Sequence, residues 1–273
     1  MKTHIAIAQN LIFRRTASHK GRHLAVTPNN SAMRHLSYGR IIVDAGMASV
    51  RFATGERETG LICLSGHGIV VVDGNSHELG CYDSIYIPRD SSVEVAASDQ
   101  ADLVECSAEV EGRYPLQLVR YADVEKDSSL KFSTGGPTAR RTVNILLGKN
   151  VKAGRILAGF TASEEGNWTS WPPHEHAAML EEVYVYHHMP APSFAVQLVY
   201  TDPNEPEFVG IVREGDAVLI PGGYHPNVAV PGHPINFVWM MAAHREVEDR
   251  QFGVVNVQPG FAQGGSGLEA SRK

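Results

Sequence analysis

The chain has 273 residues, 43% hydrophobic and 20% charged, with 24 Lys and Arg against 30 Asp and Glu, for a formal net charge of −6. That length buries a core without staples. The mildly acidic balance excludes a general binder of nucleic-acid backbones, which needs a basic stripe. The apolar run 237–243 is far short of the ~20 residues that cross a bilayer, so a membrane is not an expected partner either.

Residues 1–15 carry no apolar core followed by a small-residue cleavage site, so a cytoplasmic location is expected. From there the chain reads as strands. Short runs rich in Val, Ile, Leu, Tyr and Phe fall at 39–44, 68–73, 84–88, 91–96, 143–147, 182–186, 194–200, 217–221 and 234–240. Turn residues drawn from 26 glycines and 15 prolines separate them. Such spacing predicts an all-β sandwich or barrel rather than alternating strands and helices. One short helical piece is expected at 121–127.

Two stretches resemble each other. In the first, Leu64 to Gly74 is followed by Leu79 to Arg89; in the second, Phe208 runs to Gly222. Each places a glycine turn before an apolar strand that ends in proline, at Pro88 and Pro221, where a missing N–H is tolerated. A duplicated β-barrel is the expectation. The Ser-, Gly- and Pro-rich stretch 127–138 marks the boundary. The expected organisation is a barrel without metal at 1–130, a metal-binding barrel at 139–258 and a flexible tail at 259–273. Cys63, Cys81 and Cys106 have no C-x-x-C spacing and read as buried thiols.

The chemistry concentrates between Gly166 and Tyr186. On an extended strand, His174 and His176 face one side. Two neutral imidazoles so placed can hold one borderline metal ion. A carboxylate from Glu181 or Glu182 and the later His225 can complete the set. Zinc, manganese, iron, cobalt and nickel all fit such donors. His4, His19, His23, His35, His67 and His77 show no such grouping and read as solvent-facing or hydrogen-bonded.

Gly166, His174, His176 and Glu181, with Gly215, Pro221, Gly223 and His225, resemble the two cupin motifs. More narrowly, Arg140-Arg141-Thr142-Val143, the block Pro172-Pro173-His174-Glu175-His176, Leu180 to His187, Val199 to Asp202 and Leu219 to Pro226 resemble the 5-deoxy-glucuronate isomerases of myo-inositol catabolism. Those belong to the uronate-isomerase group of the cupin superfamily. The likeness runs from Thr27 to about Ala243. It implies a bicupin of two jelly-roll barrels in tandem, one divalent metal ion in the second barrel, and an aldose–ketose isomerisation of a deoxy-uronic acid.

Carried over by that resemblance, the ligands are His174, His176, Glu182 and His225. Motif spacing alone favours Glu181. The Val183 to Tyr186 run after Glu182 matches the family strand, and parity then sets Glu182, Tyr184 and Tyr186 on one face. Tyr184, Tyr186, Tyr224 and the unused carboxylate of the glutamate pair are the candidate proton carriers. Arg141, Arg155 and Arg213 are candidates for the substrate carboxylate, with Arg141 and Gln197 taken as the substrate-binding pair. Trp168 and Trp171 read as barrel-edge residues and Trp239 as core. In this chain only Ala177 to Leu180 separate the histidine pair from the glutamate pair, and His188 stands where the group has arginine.

A homo-oligomer is expected, with a small sugar acid as ligand. Two other readings use the same donors: a dioxygenase using iron and O₂, and a sugar-acid binder without catalysis.

Overall fold

The computed structural model describes residues 10–261. Almost every element is a strand, and the ladders are antiparallel. The one helix among the described residues is a single turn, Tyr121–Val124, inside the expected 121–127. No helix of the described residues is long and apolar enough to cross a membrane. Most of the expected tail, from residue 262 onward, lies outside the described residues.

The first lobe is an eight-stranded sheet built around two long strands, Arg57–Val72 and Ser92–Glu109, which pair along most of their length. The second lobe has a seven-stranded sheet and a four-stranded sheet. The seven-stranded sheet is ordered Ile12–Phe13, Ala217–Ile220, Leu180–Tyr186, Asn236–Ala243, Ile156–Ser163, Arg141–Leu147 and Lys131–Thr134. The four-stranded sheet is ordered Trp168–Thr169, Asn227–Ala229, Ala195–Val199 and Phe208–Val212. Both flanks of the first lobe are thus stitched into the second: Ile12–Phe13 pairs with Ala217–Ile220, and Lys131–Thr134, from the expected linker, pairs with Arg141–Leu147.

Period-two alternation explains how the lobes share a core. Leu61, Cys63, Ile85, Ile87 and Leu103 point into the first barrel's own interior. Their neighbours Ile62, Leu64, Tyr86, Val104 and Cys106 point the other way and join the second lobe's core. A strand buried on both faces has no polar side to show, which is why these runs read as continuously apolar. Gly60 sits on the shared face, where a Cβ would collide with the Leu147 side chain, so glycine lets the two sheets close. Cys63 and Cys106 are buried as expected, but Cys81 is exposed. It falls in the turn between the strands Asn75–Leu79 and Ser84–Ile87 rather than on either.

Two buried carboxylates lock the lobes reciprocally. Glu58 of the first lobe accepts from the backbone N–H groups of Gly154, Arg155 and Ile156 at 2.6–2.7 Å, and from Tyr86 Oη at 2.7 Å. Glu181 of the second lobe accepts from the backbone N–H groups of Arg34, His35 and Leu36, each at 2.7 Å. Both glutamates are 1% exposed or less. Each satisfies donors that a strand's entry would otherwise bury unpaired.

Candidate metal centre and adjoining pocket

Four segments converge at one end of the second barrel. His174 lies on the two-residue strand His174–Glu175, which pairs with Asn256–Val257, and His176 follows it. Glu182 lies on Leu180–Tyr186, opposite Ile220 and Met241. His225 sits on the turn after Ala217–Ile220. Gly223 makes that turn at φ +87, where a Cβ would sit 2.8 Å from the Tyr200 carbonyl oxygen. No side chain fits there without displacing backbone.

His176, Glu182 and His225 bring a ligand atom each within 4.8 Å of one another, and all three are buried. His176 Nε2 is 3.1 Å and His225 Nε2 3.4 Å from Glu182 Oε2. The His174 ring lies 4.9 Å from that of His225 and 6.4 Å from that of His176, centroid to centroid. Each histidine donates its Nδ1–H to a backbone carbonyl: His174 to Pro172 at 2.8 Å, His176 to Leu180 at 3.1 Å and His225 to Gly223 at 2.9 Å. A carbonyl can only accept, so these bonds fix one tautomer and leave every Nε2 lone pair for the centre. His225 Nε2 is buried with no hydrogen-bond partner. An orphaned acceptor beside a buried carboxylate is what a cation site leaves behind.

The electrostatics agree. Burial, with His174 and His176 beside it, holds His225 well below the usual imidazole range. Burial takes His174 down to about 4. Burial works against a charge on His176 too, but the bond from Glu182 raises it. Burial raises Glu182, and the His176 bond offsets part of that rise. Neutral His174 and His225 beside the Glu182 carboxylate, with His176 already drawn to that carboxylate, are donors that a divalent ion takes.

Two adjoining pockets open beside the cluster and share Arg141, Val143, His174, Met241 and Phe252 in their walls. Glu182, Tyr184, Ser170 and Trp239 line one of them. Arg141 is 5% exposed and donates only to the carbonyls of Ala139, at 2.9 Å, and Trp171, at 2.7 Å. Among the described residues no carboxylate pairs with it, and burial pulls it down to about 10. Tyr184 Oη hydrogen-bonds Ser170 Oγ at 2.7 Å, and burial, then the nearby Glu182 charge, raises this phenol well above 10.

The remaining sequence candidates lie elsewhere. Glu181 points to the other lobe, as described. Tyr186 donates to Gln197 Oε1 at 2.5 Å, and Gln197 Nε2 donates to the carbonyls of His225 and Pro226 at 2.9 and 3.2 Å. Gln197 is fully buried, with both polar ends taken by protein, so it braces the His225 turn and lines neither pocket. Tyr224 packs its ring 5.6 Å from Tyr200 and also lines neither. Arg155 is held by the carbonyls of Glu109, Ala243 and His244. Arg213 lies over Phe194, in a different cavity. Trp168 packs on Trp171, and Trp239, 3% exposed, is both core and pocket wall, stacked on Phe252 at 4.9 Å.

Phe252 and the strand Asn256–Val257 are parts the sequence did not offer. They follow the stretch where the family likeness faded, and only their contacts across the chain reveal them. Ser170 carries no signal beyond its place inside the histidine motif.

The comparisons with known proteins agree with this geometry. Residues 11–255 match the KduI/IolB family. The chain is 29% identical over 240 residues to a 5-deoxy-glucuronate isomerase of Geobacillus kaustophilus, covering 82% of this chain and 85% of that one. A 5-deoxy-glucuronate isomerase of Geobacillus thermodenitrificans is 28% identical over 249 residues, 85% of this chain and 89% of that one. Among solved structures, an IolB-like protein from Salmonella typhimurium superposes with a TM-score of 0.81 at 24% identity, over 93% of this chain and 98% of that one. An oxalate decarboxylase of Bacillus subtilis superposes with a TM-score of 0.61 at 13% identity, over 85% of this chain and 77% of that one. The fold is thus the expected bicupin, two jelly-roll barrels in tandem.

Proposed function

Since the chain belongs to the KduI/IolB family, we propose that it is a metal-dependent aldose–ketose isomerase acting on 5-deoxy-glucuronate, giving 5-dehydro-2-deoxy-gluconate in inositol degradation. One observation carries the substrate class. Arg141 is a buried guanidinium without a carboxylate partner, in the same pocket wall as His174, Glu182 and Tyr184. Leaving a charge so placed unpaired is costly, and a uronate carboxylate is its natural complement.

His176, Glu182 and His225 would hold the divalent ion, with His174 as the fourth donor. The ion would supply Lewis-acid stabilisation of negative charge on the substrate oxygens while one hydrogen moves from C2 to C1. The chain does the rest. Arg141 anchors the far carboxylate and so sets which carbons lie at the cluster. Tyr184, kept protonated by burial and held by Ser170, supplies the hydroxyl hydrogen that passes between O2 and O1. Val143, Trp239, Met241 and Phe252 form apolar walls that keep bulk water from the reacting carbons.

The test is anaerobic incubation of the metal-loaded protein with 5-deoxy-glucuronate in D₂O, followed by NMR. Ketose formation without oxygen uptake is expected, stopped by a chelator and restored by added metal. A strict requirement for O₂, or a rise in melting temperature with substrate but no product, overturns the proposal.

A further inference from the structure

The solvent side of the four-stranded sheet is lined by apolar side chains. In cross-strand register it carries Trp168, Val228, Val196, Leu198, Val209 and Ile211: Trp168 opposes Val228, Val228 opposes Val196, Val196 opposes Ile211, and Leu198 opposes Val209. Their strand neighbours Thr169, Asn227, Ala229, Ala195, Gln197 and Val199 are buried toward the barrel. Val209 is 56% and Ile211 41% exposed. An antiparallel sheet with one face in water alternates apolar with polar, and here the outer set is apolar too. A contiguous patch of this kind marks a contact surface.

Charge identifies what covers it. The edge strand Phe208–Val212 follows the exposed Glu205 and Glu207 and precedes the exposed Arg213. At that second end a cavity is lined by Arg14, Arg15 and Arg213 together with Glu214 and Asp216. Arg14 is placed there by its bonds to the Ile211 carbonyl and to Asp216, each 2.6 Å. Arg14 is thereby spent on Asp216, and the charges left on the outer side of the strand are Glu207 before Val209 and Arg213 after Ile211. A two-fold axis crossing the strand at Gly210 runs two copies antiparallel. It lays Glu207 of each on Arg213 of the other, with Val209 and Ile211 meeting between them. The surface is self-complementary in its apolar centre and in charge, as an isologous contact requires.

We propose that the outer face of this sheet is the contact surface of a homodimer, a second copy of this chain packing face to face about a dyad at Gly210. Sedimentation velocity on the full chain, with circular dichroism melting as the check of fold, tests it. The unsubstituted chain sediments as a dimer or a larger even-numbered assembly. Val209→Glu with Ile211→Glu cuts the assembly mass to half or less while the melt stays cooperative. Glu207→Arg alone and Arg213→Glu alone each weaken association about tenfold at low salt, and the two together in one chain restore it, because swapped charges still complement across a dyad. A monomeric unsubstituted chain, an assembly mass unmoved by the Val209 and Ile211 changes, or a charge swap that fails to restore association overturns the proposal.

Discussion

The two lobes share a register and differ in what they place on it. Thr59 pairs with Ile87 and Ser107 as Glu182 pairs with Ile220 and Met241. Glu58 and Glu181, one residue earlier, then occupy equivalent positions and make equivalent bonds, each to three successive N–H groups where the other lobe's strand begins. The scaffold was kept twice, because a barrel that shares its core with another needs the same lock from both sides. The chemistry was kept once. Where the second lobe has the buried Glu182 beside two histidines, the first has Thr59 among an apolar interior.

The strongest way to break the comparison is to give the second lobe the first lobe's residue. Glu182→Thr is expected to take metal content from near one ion per chain to near zero by elemental analysis, and turnover down about 10³-fold, with the melt intact. The locks come next. Glu58→Ala and Glu181→Ala each strand three buried N–H donors, and each is expected to cost about 3 kcal/mol in denaturant unfolding. Equal losses support the reciprocal reading; a loss from only one breaks it.

Arg141→Met is expected to raise KM for a uronate about 100-fold while leaving metal content unchanged, since it removes a charge-assisted anchor and no ligand. The smallest effect sharpens a second difference. Five residues on from Glu182 the second lobe has His187, where five on from Thr59 the first has Leu64, and burial, with His188 and Arg40 nearby, takes the pKa of His187 down to about 3. An unfolded histidine titrates near 6.5. The unfolded chain therefore takes up this proton first. Stability is unaffected above about pH 6.5 and falls as pH drops from there toward 3, by up to about 1.4 kcal/mol per unit. His187→Leu should flatten that part of a stability-against-pH curve.

Much of the fold was legible because the signals were local. Apolar runs punctuated by glycine and proline located most strands of the second lobe, but they missed Gly21–Val26 and Ile156–Ser163 and caught only one end of each long strand, Arg57–Val72 and Ser92–Glu109; the 121–127 helix came out as one turn. Parity placed Glu182 and Tyr184 on the site side of their strand and Glu181 on the other. Parity could not tell a pocket wall from a sealed interior. Tyr186 shares the face of Tyr184 but is spent on Gln197, deeper in the barrel. Gln197 looked available until its amide was seen holding the His225 turn. Cys81 read as buried because its neighbours are apolar, yet the chain turns there.

The sequence by itself determined the β architecture, its duplication and the donors that gather at one end of the second barrel, because strand period, turn residues and ligand spacing are written along the chain. Only the tertiary structure decided which candidate arginine reaches the pocket, that Phe252 forms part of its wall, and that two glutamates bolt the lobes together. Those facts are distances between residues far apart in the chain, and a one-dimensional pattern holds no information about which of several equally suitable side chains the folded backbone brings within reach.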